Sequence, residues 1–441
     1  MKTHKALAYF LLLQLHGSLL AEQKERSPNI VILMADDLGY NDLSAYGHPK
    51  IKTPVLDQLA REGVKLTSFY AGATVCTPSR MALLTGAYPA RLGWSKGVIG
   101  HIMKKGQGLS PDALTMPEIF KAAGYRTAMF GKWHLGDEPP LRPHQQGFET
   151  TFYLNKSNNQ TKELWRDDEV IENPFTNRLL SERFTNEAIK FIESNRDHPF
   201  FLYLPHTAPH FPLEAHPDWK GKSKFGVFGD VVEELDHRIG QLLNALKNAE
   251  LEKNTIVVFL SDNGPEPLTR VSRADPFRGK KWSALEGGTR VPCIIRHPGL
   301  IPPDWESAAL ISAIDLLPSL AHACGIDLQQ HSQGNPIIDG LNVWPTLQDD
   351  KEAPHPRQDL LYWHGADGFQ AIRKGSWKLF PNRRHAGLKG SGPALFNLEK
   401  DLQEKLDVSM EHPVKVAALK KLAELRLSEI EKNKIALGET K

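Results

Sequence analysis

Four times in this chain a short run of apolar, largely β-branched or aromatic residues stops abruptly at a cluster of polar groups. The runs are NIVILMADD (29–37), YRTAMFGKWHLG (125–136), PFFLYLPHTAPHFP (199–212) and NTIVVFLSDNG (254–264). Apolar runs without polar alternation read as strands buried on both faces, which calls for a parallel or mixed sheet covered by helices. The stretches 55–63, 116–123, 181–196 and 228–249 read as helices between them, so strands and helices alternate and the fold class is α/β. In such sheets ligands bind beyond the carboxyl ends of the strands. Those ends carry Asp36, Asp37, Lys132, His134, His206, His210, Asp262 and Asn263. Separate strands thus deliver charge to one edge, the pattern expected of a catalytic site.

Asp36 and Asp37 are adjacent carboxylates, which repel one another unless a cation lies between them. SDNG repeats the arrangement with Asp262 and Asn263. Hard oxygen donors with no Cys or His among them suit Ca²⁺ or Mg²⁺. Asp, Asn and Gly also dominate turns, which would account for either motif alone; their pairing at two strand ends favours the cation. The stretch VCTPSRMALLTG (75–86) adds a cysteine in an unusual setting. Pro78 suits the first turn of a helix, which puts Cys76 at a helix N-terminus, where unpaired N–H groups favour negative charge. Arg80 adds a guanidinium one turn on. A plain thiol in that place is expected to have a lowered pKa and to act as a nucleophile; the alternative is a buried cysteine in a capping loop.

Residues 1–21 read as a secretory signal, with Lys2 and Lys5 ahead of an apolar stretch and Ala21 at the cleavage position. The alternative is an uncleaved anchor. No other segment is long and apolar enough to span a bilayer. Cys76, Cys293 and Cys324 make no disulfide framework; the last two read as buried thiols, with their pairing the alternative. A net charge of +2, spread along the chain, excludes a nucleic-acid footprint. The chain divides into a catalytic domain, 28–345, and a smaller α+β unit, 346–441, of short antiparallel strands and a helix over 413–433, packed on the first without a linker. The polar insertion 137–176, with a hairpin at LWRDDEVIE, is expected to line a substrate cleft. Trp94 and His101, in a Gly-rich loop, are candidates for its entrance.

CTPSRMALLTG (76–86) resembles the signature of the type I sulfatases at Cys76, Pro78, Ser79, Arg80, Leu84, Thr85 and Gly86. GKWHLG (131–136) is similar to the family's second signature. NIVILMADDLG, the Pro-His-x-Pro segment, SDNG, GKKWSALEGGTRVP (279–292) and LFNLEKD extend the likeness over nearly the whole chain, closest to the arylsulfatase A and N-acetylgalactosamine-6-sulfatase kind. The resemblance implies an alkaline-phosphatase-like fold with a mixed, largely parallel sheet. It implies that Cys76 is oxidised by a formylglycine-generating or other sulfatase-maturing enzyme to Cα-formylglycine (3-oxoalanine), whose hydrate attacks sulfur. Asp36, Asp37, Asp262 and Asn263, together with the hydrate at position 76, would hold Ca²⁺, or Mg²⁺ in its place. Arg80 would hold the hydrate, Lys132 and Lys281 would grip sulfate oxygens, His134 would act as base, and His210 would contact substrate as general acid. Counting back from EGG picks Lys281 over Lys280, and the following x-Pro picks His210 over His206, which is left a packing role. Arg290 reads as an ion-pair residue. The implied activity is hydrolysis of a sulfuric ester, foremost of a sulfated carbohydrate, by a periplasmic or secreted enzyme (lysosomal or extracellular in a eukaryote). Alternatives are a phosphodiesterase or phosphonate hydrolase of the same superfamily, and a non-catalytic sulfated-glycan-binding relative.

Overall fold

The computed structural model describes residues 27–331, 338–348 and 356–440; the expected signal over 1–21 lies outside the described residues. The main sheet has ten strands, numbered here in chain order. They are β1 (Asn29–Ala35), β2 (Val64–Leu66), β3 (Arg126–Lys132), β4 (Thr150–Leu154), β5 (Leu164–Arg166), β6 (Glu169–Glu172), β7 (Phe200–Pro205), β8 (Thr255–Ser261), β9 (Cys293–Arg296) and β10 (Trp305–Ser307). Across the sheet they lie in the order β10-β2-β9-β8-β1-β7-β3-β4-β5-β6. The run from β8 through β1, β7 and β3 to β4 is parallel throughout, so all four apolar segments point their carboxyl ends the same way. Antiparallel strands flank this run on both sides, and the 164–172 segment forms the expected hairpin at one edge.

Burial on both faces explains the unbroken apolar runs. Along β1, Ile30, Ile32 and Met34 enter one core while Val31, Leu33 and Ala35 enter the other. The second core is closed by helices Leu180–Ser194 and Gly226–Asn248, through Phe184, Ile192, Leu235 and Ile239. The first is closed by Cys76–Thr85 and Met116–Ala122, through Met81, Leu84, Ile119 and Phe120. These helices, and Pro54–Arg61 and Pro413–Lys432, start and stop within about two residues of the expected positions.

A second sheet, four strands in simple antiparallel order, follows: β11 (Asp359–His364), β12 (Gly368–Lys374), β13 (Trp377–Phe380) and β14 (Ala394–Asn397). Its Leu361, Ile372, Leu379 and Phe396 belong to the same apolar cluster as Met81 and Leu84. The expected division at 345–346 falls inside a helical turn, Trp344–Leu347, whose ends are buried in that shared cluster. The chain then returns to the first unit, where Gly438–Glu439 pairs with Gln107–Gly108. All three cysteines are free and buried, including Cys293 in β9 and Cys324 at the end of a short helix.

Candidate active site

Cys76 is the first residue of its helix, with Val75 extended as the cap. Every residue of Cys76–Thr85 is buried, and the helix ends at Gly86 in the left-handed conformation. Ligand atoms of Cys76, Asp36 and Asp262 lie within 4.8 Å of one another, as do those of Asp36, Asp37 and His210. The strand ends therefore converge as the parallel order requires. Asp36 and Asp37 follow β1, Lys132 ends β3, His210 lies beyond β7, and Asp262 and Asn263 follow β8. Close approach at β3 demands a glycine: a Cβ on Gly131, φ +139°, would sit 1.9 Å from the Pro205 carbonyl oxygen.

Arg80 ties the cluster together. Its Nε and Nη2 donate to Asp262 Oδ2 at 3.0 and 2.8 Å, its Nη1 donates to the Lys132 carbonyl at 2.7 Å, and Asp36 Oδ1 lies 3.6 Å from Nη2. Lys132 Nζ donates to Asp36 Oδ2 and Lys281 Nζ to Asp37 Oδ2, each at 2.7 Å. Asn263 Nδ2 donates to Asp37 Oδ1 at 2.7 Å. The carboxylates respond differently. Burial would push the Asp36 carboxyl up, but Lys132, His210 and Arg80 hold it well below the usual carboxylate range. Burial and then the charge of Asp36 push Asp262 up to about 6.

Burial favours the neutral form of both site histidines, and their hydrogen-bond partners select the tautomer. His134 Nε2 lies 2.9 Å from the Ile99 carbonyl, which can only accept, so Nε2 carries the proton and Nδ1 is a buried acceptor with no partner. Burial, then Lys132, keeps its pKa far below the ordinary histidine value. His210 Nδ1 faces two acceptors, Asn158 Oδ1 at 3.1 Å and the Phe211 carbonyl at 2.7 Å, and so donates. Its Nε2 points at Asp37 Oδ2, 3.5 Å away, and burial lowers its pKa to about 4.

Two expectations need correction. The Cys76 thiol is not acidified: burial pushes it up to about 12, outweighing Lys132 and Lys281. A dry setting penalises the thiolate more than a helix end and two lysines favour it. Trp94 does not line the cleft; it is buried and donates its indole N–H to the Gly97 carbonyl at 2.9 Å. His101 does line it. Lys280 turns away to the Ser272 carbonyl, leaving Lys281 in the cluster. His206 is buried outside the cleft lining, and Arg290 pairs with Glu286 at 3.3 Å.

The cleft over Cys76 has a volume of about 340 Å³ and is also lined by His134, His210, Lys281, Trp282, Glu266 and residues Ser157, Asn159 and Gln160 of the polar insertion. Sequence reasoning missed several of these contributors. Thr77 donates its hydroxyl to the His134 carbonyl at 3.0 Å and accepts the Ile99 N–H at 3.1 Å, fixing the histidine's loop against the cysteine's helix. Asn158 orients His210, and Glu266 Oε2 lies 3.4 Å from Lys281 Nζ. Asn158 lies in the polar insertion expected to line the cleft; Thr77 and Glu266 carried no such signal. Asp37, His134 and Trp282 all adopt left-handed backbone, with φ of 67°, 61° and 66°. Such conformations cost on the order of 1–3 kcal/mol each and gather where function requires them.

Comparison with known proteins places the chain in a family. A sulfatase family model matches residues 28–326. Human arylsulfatase A is 36% identical over 389 residues, covering 80% of this chain and 74% of the relative. An N-acetylgalactosamine-6-O-sulfatase of Bacteroides thetaiotaomicron is 31% identical, covering 91% and 93%. The crystal structure of a sulfatase from Pseudoalteromonas sp. superposes with a TM-score of 0.84 at 26% identity, over 99% of this chain and 96% of that one. The family model spans more than half of the chain and the human relative is 36% identical over most of both sequences, so the chain belongs to the sulfatase family.

Proposed function

We propose that this protein is an exported sulfatase that removes sulfate from a sulfated sugar, with position 76 matured to formylglycine as its nucleophile. The observation that carries the reading is the convergence around Cys76 of Arg80 from its own helix, Lys132 and His134 from one strand end, and Lys281 and His210 from two further segments. The N-acetylgalactosamine-6-O-sulfatase among the relatives supports a sugar substrate. The apolar start of the sequence supports export, and no described helix is long and apolar enough to cross a membrane.

The donor set fits a hard cation. Asp36 Oδ1 and Asn263 Oδ1 are buried oxygens with no hydrogen-bond partner, beside Asp37 and Asp262. Asp36, Asp37, Asp262 and Asn263 would hold Ca²⁺, or Mg²⁺, which when bound supplies positive charge against the ester. A maturing enzyme would convert Cys76, and the aldehyde hydrate supplies two hydroxyls on one carbon, one to attack and one to release sulfate.

The chain's own residues do the rest. Lys132 and Lys281 bind sulfate oxygens in a dry cleft, where their charges count for more than in water. Arg80, bonded to Asp262 and to the Lys132 backbone, orients the hydroxyl at position 76. His134 presents an unprotonated Nδ1 and takes up a hydroxyl proton there. His210 stands where the alcohol leaves; its Nε2 must first gain a proton, which the facing Asp37 carboxylate favours.

Mass spectrometry of the tryptic peptide Leu66–Arg80, from protein made in its native host, tests the reading. A residue 76 with the mass of formylglycine, reactive toward an aldehyde probe, is expected. An unmodified cysteine throughout, in protein that still cleaves p-nitrophenyl sulfate, would remove the proposed nucleophile.

A further inference from the structure

Trp282 is a bulky aromatic residue held in left-handed backbone, φ +66°, at the edge of the cleft. Few such residues tolerate that conformation, so the surroundings must impose it. They do so from three directions. Its N–H donates to the Thr74 carbonyl at 3.1 Å, and its carbonyl accepts from His364 Nε2 at 2.7 Å. Gly365 lies flat against the indole, where a Cβ would come within 2.5 Å of Cζ3. Gly365 is itself fixed by donating its N–H to Thr74 Oγ1 at 3.0 Å. The second sheet, which supplies His364 at the end of β11, therefore braces one wall of the site.

The ring so fixed is partly exposed and lines the same cleft as Cys76, with the His101 ring edge-on at 6.1 Å. Around the same cleft stand Asn159, Gln160 and the Glu266 carboxylate. An apolar plate with hydrogen-bonding groups around it complements a pyranose, which has an apolar C–H face and a rim of hydroxyls. Glu266 Oε1 accepts the Leu268 N–H at 3.1 Å and Oε2 lies 3.4 Å from Lys281, and a carboxylate so held keeps lone pairs free to accept from a sugar hydroxyl.

We propose that Trp282 is the platform of a sugar-ring subsite: the ring rests on the indole, its hydroxyls meet Glu266 and the Asn159–Gln160 segment, and the adjacent Lys281 takes the sulfate. The proposal rests on the sulfatase reading above and names its substrate-selecting residue.

The test compares wild type with Trp282→Gly, which keeps the left-handed backbone without strain, and with Trp282→Phe, which keeps an aromatic ring. The probes are N-acetylgalactosamine 6-sulfate and galactose 6-sulfate as substrates, and unsulfated N-acetylgalactosamine and inorganic sulfate as inhibitors. In the glycine variant, KM for the sulfated sugars and Ki for N-acetylgalactosamine are expected to rise about tenfold, ~1.4 kcal/mol. The expected kcat changes far less, Ki for sulfate stays close to wild type, and phenylalanine recovers part of the loss. Should the glycine variant not fold, Trp282→Asn carries the same comparison, since asparagine also tolerates this backbone. Unchanged KM for the sugars overturns the proposal, as does an equal weakening of sulfate inhibition, which would mean the residue only props Lys281. A wild type that cleaves p-nitrophenyl sulfate but neither sugar sulfate overturns the subsite and leaves the sulfatase reading standing. One that cleaves no sulfate ester removes both.

Discussion

Two buried charge clusters sit in this molecule, and they are built to opposite ends. Around Cys76, Asp36, Asp37 and Asp262 face Arg80, Lys132 and Lys281. Between the main sheet and the second sheet, Glu286 and Glu404 face Lys378, with Arg290 and Arg373 beside Glu286. The second cluster opens on no described cleft, and Lys378 lies 2.9 Å from both Glu286 Oε1 and Glu404 Oε1, the latter an ion pair without a hydrogen bond. Glu286 Oε1 accepts from Lys378 at 2.9 Å and Tyr362 at 3.1 Å, and Oε2 accepts from Tyr70 at 2.5 Å and Arg290 at 3.3 Å. Lys378 is buried over the Tyr362 ring, 3.9 Å from its centre. The first cluster opens on a cleft and keeps unpartnered atoms at Asp36 Oδ1, Asn263 Oδ1 and His134 Nδ1. Burial and charge alone do not mark a candidate site; the cleft that Cys76, His134, His210 and Lys281 line beside the first cluster is what separates the two.

Removing a bound metal should separate the clusters most sharply. Exhaustive chelation is expected to cut turnover on the order of 10³-fold, the several kcal/mol that a metal lends to charge stabilisation, with Ca²⁺ restoring it. Ca²⁺ titrated into the chelated protein should also stabilise it against urea, by ~2.7 kcal/mol at a hundredfold excess over Kd. Full activity and an unmoved urea midpoint would put both clusters in one structural class. The second cluster should fail differently. Lys378→Met strips the buried Glu404 of its cation and leaves Glu286 only Arg290 and Arg373, and is expected to cost about 3–5 kcal/mol in urea unfolding, with turnover per folded molecule retained. Lost turnover in a fully folded Lys378→Met protein would show that the second cluster reaches the chemistry after all.

The smallest effect concerns pH. Burial, and then the charge of Glu286, raise the Glu404 pKa from 4.5 to about 7, despite Lys378. A raised folded-state pKa stabilises below the unfolded value and is lost as pH climbs through the folded one. Glu286 runs the other way: burial opposes ionisation, but Lys378, Arg373 and Arg290 hold its carboxyl low, so its contribution exists above pH 4.5 and fades in acid. Glu404→Gln should therefore flatten the loss of stability between about pH 4.5 and 7, by up to roughly 3 kcal/mol. Parallel stability–pH curves for wild type and variant would refute this account.

The readable part of the molecule was the part encoded locally. Each apolar run carries its polar cluster on the same strand end, so parallel order was enough to bring Asp36, Lys132, His210 and Asp262 together. Helices lay where the chain between the apolar runs was read as helical, and Pro stands in the first turn of several, as at Pro54, Pro117 and Pro413. What stayed hidden depends on distant loops meeting. Glu286 finds Lys378 92 residues on and the Glu404 carboxylate 118 residues on, and no pattern in the EGG turn foretells either. Asn158 reaches His210 from a polar insertion with no periodicity. The Cys76 thiol was misjudged for the same reason: a helix start is visible in sequence, whereas the depth of its burial is not.

That burial bears on when the enzyme can come alive. With the whole of Cys76–Thr85 buried, a maturing enzyme of the kind proposed would have to meet CTPSR as extended chain, before the sheet and its covering helices close over it. Maturation would then be a race between two clocks, modification and folding. A chain that folded first would be a stable, well-packed and silent molecule, and supplying the maturing enzyme afterwards would not wake it unless the chain were first unfolded.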